Sequence, residues 1–175
     1  MTEFSLTLTG EQEAALRDEV FATPGVEGAA YLLLRKAAIG QDPWSRRARM
    51  RLLVREVIPI PREDIVSQGG THVTWSTKGL IPLLRRAREE NLVVGIAHSH
   101  PDGPVAFSEQ DDENEAELFR TISQRNGDES LFVSTLFAGE GDVLARVWEY
   151  PRSVSVVTQV GVIGERFSFH RSEQE

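Results

Sequence analysis

The stretch from Leu92 to Pro101 restricts this chain more than any other. Leu92 to Ala97 is an unbroken apolar run, and it ends in His98-Ser99-His100-Pro101. Such a run reads as a buried strand, and side chains two apart on a strand share a face. His98 and His100 therefore aim at one point. Pro101, Gly103 and Pro104 break the strand into a loop, and Ser108 opens a helical stretch expected to run to about Ser123. Asp111 falls in the first turn of that helix, free to swing back toward both imidazoles. Two His nitrogens, one carboxylate oxygen and an open fourth position are the ligand set of a catalytic rather than a structural zinc ion. His98, His100 and Asp111 are accordingly read as ligands of one Zn2+ per chain.

Each of these residues also has a plainer explanation. Ser108 with Asp111 three residues on matches a capping-box-like helix start, in which the Ser oxygen accepts a backbone N–H and the acid favours the positive helix end. A lone strand histidine is more often a satisfied, half-buried side chain than a ligand. Here two of only four histidines fall at i and i+2, beside the loop that delivers the acid. That coincidence favours the metal site.

The spacing of these residues, His98-x-His100, seven residues, Ser108, two residues and Asp111, resembles the signature of the JAMM (JAB/MPN) metalloproteases, and Pro101 directly after the second His fits it. The resemblance spans residues 1 to about 150. It is greatest to the compact bacterial JAB proteins that accompany ubiquitin-like proteins and their activating enzymes. It implies an α/β fold, a single layered domain with a curved, mixed sheet flanked by helices. Residues 1–150 would form the metalloprotease domain, and 151–175 a β-rich extension and polar tail within the same domain. It also implies a glutamate general base at the start of a buried strand upstream of the histidines. Glu27, just before the apolar run Ala29–Leu34, matches by position. Glu56 and Glu63 are its rivals, but neither opens an apolar strand. The family often shows Gly three residues after this Glu, whereas here Ala30 fills that place and Gly28 comes early. Ser108 would be the oxyanion donor.

The function so implied is a zinc-dependent isopeptidase that hydrolyses the bond after the C-terminus of a ubiquitin-like protein. A processing peptidase maturing a ubiquitin-like or sulfur-carrier precursor would use the same site. A silent scaffold that only binds partners would typically lack metal ligands, and this chain keeps all three. The expected partners are a ubiquitin-like protein or its conjugates, with activating or conjugating enzymes of the same system.

Composition narrows the alternatives. At 175 residues, 40% of them hydrophobic and 26% charged, the chain has the make-up of one soluble globular domain. It contains no cysteine, which removes disulfides, cysteine nucleophiles, thiolate zinc sites and the zinc deaminases with their Pro-Cys-x-x-Cys. A formal charge of −8 speaks against a general nucleic-acid binder. No stretch approaches a membrane span, and Met1 to Gly10 lacks the basic start and apolar centre of a secretory signal. A cytoplasmic location is expected.

Elsewhere the pattern is coarser. Phe4, Leu6 and Leu8 alternate as a short strand, and Thr9 with Gln12 caps a helix to about Phe21. Met50–Val57 and Val73–Trp75 read as strands, and Leu80–Asn91 as an amphipathic helix with Pro82 near its start. Leu131–Phe137 and Val143–Tyr150 form a hairpin, and Val154–Ile163 is β-rich without an assigned place. Helices at about 11–21, 78–91 and 108–123 thus interleave with some six strands. Arg46, Arg47, Arg49 and Arg51 read either as a dock for an acidic partner or as charges protecting an edge strand. Asp111, Asp112, Glu113, Glu115 and Glu117 read as a mostly solvated acidic face, with a role for Asp111 alone. His72 reads as a surface histidine.

Overall fold

A computed structural model describes residues 3–43, 45–139, 141–151, 153–164 and 168–171. In β1 (Glu3–Thr9), Phe4, Leu6 and Leu8 are buried on one face, as their alternation requires. Thr9 and Gln12 exchange side-chain and backbone hydrogen bonds of 3.1 and 2.9 Å, the capping box that starts α1 (Gly10–Val20). β2 (Ala29–Ile39) and β3 (Arg49–Pro59) pair antiparallel. A small separate hairpin follows, β4 (Ile65–Gln68) against β5 (Val73–Trp75). Pro82 is the third residue of α2 (Leu80–Glu90), within the first turn, where its missing N–H has no intrahelical acceptor to lose. Then come β6 (Val93–His100), α3 (Glu109–Asn126), β7 (Leu131–Ala138), β8 (Asp142–Glu149), β9 (Ser153–Ile163) and β10 (Ser168–Arg171).

The main sheet has eight strands in the order β1-β3-β2-β6-β7-β8-β9-β10, and a further pairing of β9 with β1 closes it on itself. The pairings are mixed: β1–β3, β1–β9 and β6–β7 are parallel, the rest antiparallel. The β-rich stretch left unplaced by the sequence is thus β9, which joins β8 through Ser153–Val156 and β1 through Val157–Ile163. Ten strands are described rather than some six; β4 and β10, four residues each, are too short to show a period of their own.

Strand alternation builds two cores. One face carries Leu6, Leu32, Leu52, Val133, Phe137 and Val160 against Leu16 and Val20 of α1. The other carries Tyr31, Leu33, Val94, Ile96, Phe132 and Trp148 against α2 and α3, through Leu80, Leu84, Phe119 and Ile122. β6 is buried at every position, and its even residues Val94 and Ile96 face α2 and α3. By the same period, His98 and His100 face that side.

Two readings of charged stretches give way. β3 is not an edge, because β1 pairs with it on the side away from β2. Two of the four arginines of the basic cluster are paired at home: Arg47 meets Glu3 at 3.0 Å, and Arg49, nearly buried, meets Glu3 and Asp42, each at 3.3 Å. The acidic face of α3 is not wholly solvated either, since Glu115 is only 1% exposed. Its carboxylate accepts hydrogen bonds from Ser134, Arg146 and Trp148, and Asp112 pairs with Arg146.

Candidate metal centre

β6 and β2 run antiparallel with Ala29 opposite His98, so the residue two before Ala29 lies beside His100. That residue is Glu27. Its Oε1 is 3.8 Å from His100 Nε2, and the side chain is buried. Three backbone features hold it there. Its N–H donates to Gly69 O at 2.8 Å, across to the turn between β4 and β5. Ser99, fully buried between the two histidines, donates its hydroxyl to Val20 O at 2.5 Å and accepts from Gly28 N at 3.1 Å. Gly28 itself touches the end of α1 so closely that a Cβ there would lie 2.7 Å from Val20 O. The early glycine is therefore required where it stands, by close approach rather than by a special φ.

α3 delivers the third candidate ligand. Ser108 is its N-cap, and Ser108 N and Oγ both donate to Asp111 Oδ2, at 2.7 and 2.8 Å, while Asp111 N donates back to Ser108 Oγ at 3.1 Å. The capping box and the metal site are thus one structure, not competing explanations. Asp111 Oδ1 lies 3.2 Å from His98 Nε2, and Oδ2 lies 3.4 Å from His100 Nε2.

The donor set fits a metal ion. One ligand atom from each of His98, His100 and Asp111 lies within 4.8 Å of the others. Among the described residues, His98 Nε2 is buried without a hydrogen-bond partner, although Asp111 Oδ1 approaches it. A buried polar nitrogen is costly when unpaired, and a coordinate bond would satisfy it. His100 Nδ1 meets Pro104 O at 3.3 Å. A carbonyl only accepts, so Nδ1 carries the hydrogen, and in neutral His100 the Nε2 lone pair is left as the ligand atom on offer. Gly103 lets this loop close, since a Cβ there would come 3.1 Å from His100 Cβ.

The charges agree with the geometry. Burial raises the Glu27 carboxyl above its ordinary value, with the nearby imidazoles only partly opposing it. At Asp111 burial pulls the same way, yet the close approach of the His100 and His98 imidazoles holds the carboxyl well below the usual carboxylate range. His100 is raised, first by its hydrogen bond to Asp111, with burial opposing. Two carboxyls that both approach His100 Nε2 thus differ in character: Asp111 stays anionic, as a metal ligand must, while Glu27 is tuned toward taking up a proton. A small cleft of about 30 Å³, room for a water-sized ligand, is lined by Glu27, His72, Trp75, His98, Ser108 and Asp111 among others.

The structure therefore gathers Glu27, His98, His100, Ser108 and Asp111 in one place. The rivals lie elsewhere: Glu56 accepts from Arg86 at 2.7 Å, and Glu63 is exposed in a one-turn 3-10 helix. Sequence reasoning missed Ser99, Phe107, Glu115 and Arg146. The Phe107 ring packs on His98, with centroids 5.9 Å apart, and the Arg146 guanidinium sits 3.9 Å from the Phe107 centroid. Glu115 did leave a trace, four residues after Asp111 and hence on the same helix face. Nothing local marks Ser99, Phe107 or Arg146.

No helix among the described residues is long and apolar enough to cross a membrane. No curated protein sequence matches the chain. Among solved structures, a protein from Desulfitobacterium hafniense is similar at a TM-score of 0.54 and 17% identity, with 91% of this chain and 94% of that one covered, which supports the fold alone. The STIL N-terminal domain of Trichoplax adhaerens is a weaker likeness, with a TM-score of 0.33, 14% identity, and 81% and 41% covered. A family model of prokaryotic homologues of the JAB domain matches residues 11–149, spanning all three helices and the His/His/Asp cluster. The chain belongs to that family, and its candidate metal site is that of a metallohydrolase.

Proposed function

We propose that this protein is a zinc-dependent isopeptidase that hydrolyses the bond after the C-terminal residue of a ubiquitin-like protein. The observation that carries the reading is the approach of Glu27, buried and raised in pKa, to a cluster of two histidines and an aspartate. His98, His100 and Asp111 would hold the ion, which supplies Lewis acidity, bringing a water toward a pKa of ~7 and polarising the scissile carbonyl. Glu27 takes the proton of the attacking water and hands it to the leaving amine. The Ser108 hydroxyl turns from Asp111 Oδ2 to the oxygen that becomes negative, and the Ser108 backbone N–H stays behind on Oδ2.

A groove of about 720 Å³ begins at Glu27 and runs between the end of α1 and residues 59–68. β4 lines it and, among the described residues, pairs only with β5. An extended tail can lie along this free edge with its last carbonyl at the cluster. So open a groove offers few pockets near the metal, and most discrimination must then come from remote binding of a folded module. The test compares a cognate ubiquitin-like fusion with its isolated tail peptide, using chelated enzyme and Glu27→Gln as blanks. The fusion should be cut with much the higher kcat/KM. Equal values would make this a general zinc peptidase, and no cleavage of any conjugate or precursor by the zinc-loaded protein would favour a binding scaffold.

A further inference from the structure

We infer that Glu115 and Arg146 are positioning residues, a buried ionic bolt that sets the rotation of α3 and so aims Asp111 at the two histidines. The inference rests on the metal reading of His98, His100 and Asp111. It begins with what α3 lacks. Its buried residues are Glu115, Phe119 and Ile122, so no residue from Glu109 to Asn114 is buried. Apolar packing thus grips the helix only from Ala116 onward, more than a turn beyond the ligand, and fully buried apolar residues begin at Phe119. The turn carrying Asp111 needs another anchor, because a helix that rotates by one residue moves a side chain through roughly 100°.

Glu115 is that anchor. It lies one turn from Asp111 on the same face, and its carboxylate takes three donors from two strands: Ser134 Oγ of β7 at 2.6 Å, Arg146 Nε of β8 at 2.8 Å and Trp148 Nε1 of β8 at 2.7 Å. Carboxylate hydrogen bonds from fixed donors are directional in a way that apolar contact is not. Burying an acid to 1% exposure is unfavourable for stability unless it is fully partnered. A leucine at this position would fill the same space without defining the rotation.

Arg146 extends the bolt to the other side of the site. Its Nη1 meets Asp112 Oδ1 at 2.5 Å, which fixes the residue next to the ligand. Its guanidinium lies over Phe107, the residue before the Ser108 cap, and Phe107 lies against His98. One cation therefore braces both the helix that carries Asp111 and the wall behind His98.

The experiment uses the full chain and three readouts: zinc affinity by competition with a chromophoric chelator, the visible spectrum of the Co2+-substituted protein, and thermal unfolding. Glu115→Gln and Arg146→Lys should remain folded, bind zinc roughly 10- to 100-fold more weakly, and show an altered cobalt spectrum. Ile122→Val, at the far end of α3, should lower thermal stability while leaving affinity and spectrum unchanged. If Glu115→Gln does not fold, Ser134→Ala removes one of the three donors at the loss of a single oxygen and should alter the spectrum in the same direction. Variants that lose stability but bind zinc and display cobalt bands as the parent does would overturn the inference and leave Glu115 as core structure only. Absence of zinc binding in the parent protein itself would overturn the metal reading, and this inference with it.

Discussion

Glu27 lies beside His100 without belonging to the His/His/Asp cluster, so its amide variant separates binding from chemistry. Glu27→Gln should keep one zinc per chain by elemental analysis and lose turnover by roughly 10²- to 10⁴-fold, since the amide preserves shape but cannot accept a proton. Near-parental rates would remove Glu27 from the mechanism. His100 provides a second prediction at this scale. In the metal-free protein its pKa is raised above 6.5, and a metal must displace that proton. Apparent zinc affinity should therefore climb by about tenfold per pH unit from acid pH until the raised value is passed, then level off; a flat profile across that window would exclude His100 as a ligand. The linked effect on the metal-free fold has the opposite sense. A raised folded-state pKa contributes stability that is fully present below 6.5 and is lost as pH rises through the folded value.

At the scale of elements, the site is a junction of α1, β2, β6 and α3, and the junction was legible only where the chain writes it locally. The two histidines, the Pro break and the Ser-x-x-Asp cap lie within a stretch of fourteen residues, from His98 to Asp111, so spacing alone aimed them. Glu27 is 71 residues or more from its neighbours in β6 and was found through a family resemblance, not through any physical period. Glu115 looked solvated because its neighbours Asp112, Glu113 and Glu117 are acidic, and what buries it is an arginine 31 positions away. The same blindness made β3 an edge: its outer partner β1 lies more than forty residues earlier in the chain. Gly28 tests the junction directly. In Gly28→Ala the new methyl meets backbone oxygens of Val20 and Glu19 at 2.7 and 2.9 Å, which cannot step aside as a side chain would. Unfolding by denaturant should show a loss of about 1–3 kcal/mol, with zinc content kept and turnover reduced because the entry to β2 carries Glu27. Unchanged stability would mean that α1 and β2 are not tightly abutted.

For the whole molecule, the candidate metal site lies on a fold whose cores do not depend on an ion. Two apolar cores flank the sheet, so removing zinc with a chelator should abolish turnover while the far-ultraviolet dichroism persists, with thermal stability lowered only by the lost binding linkage; unfolding on chelation would make the ion structural. The closure of β1 onto β9 has a consequence in time rather than in space. Phe4 to Thr9 must wait for Val157 to Ile163 before either strand has its full set of neighbours. During synthesis β1 can pair with β3 long before β9 exists, and contacts so distant in sequence make for slow folding. A chain stopped after Tyr150 still contains the whole candidate metal site, yet β1 and β8 would each be left with an open edge. Such a fragment should self-associate or remain with chaperones instead of yielding a monomer that binds zinc, as gel filtration and zinc content of the purified fragment would register. One edge of β1 is in this sense a debt that only β9 settles.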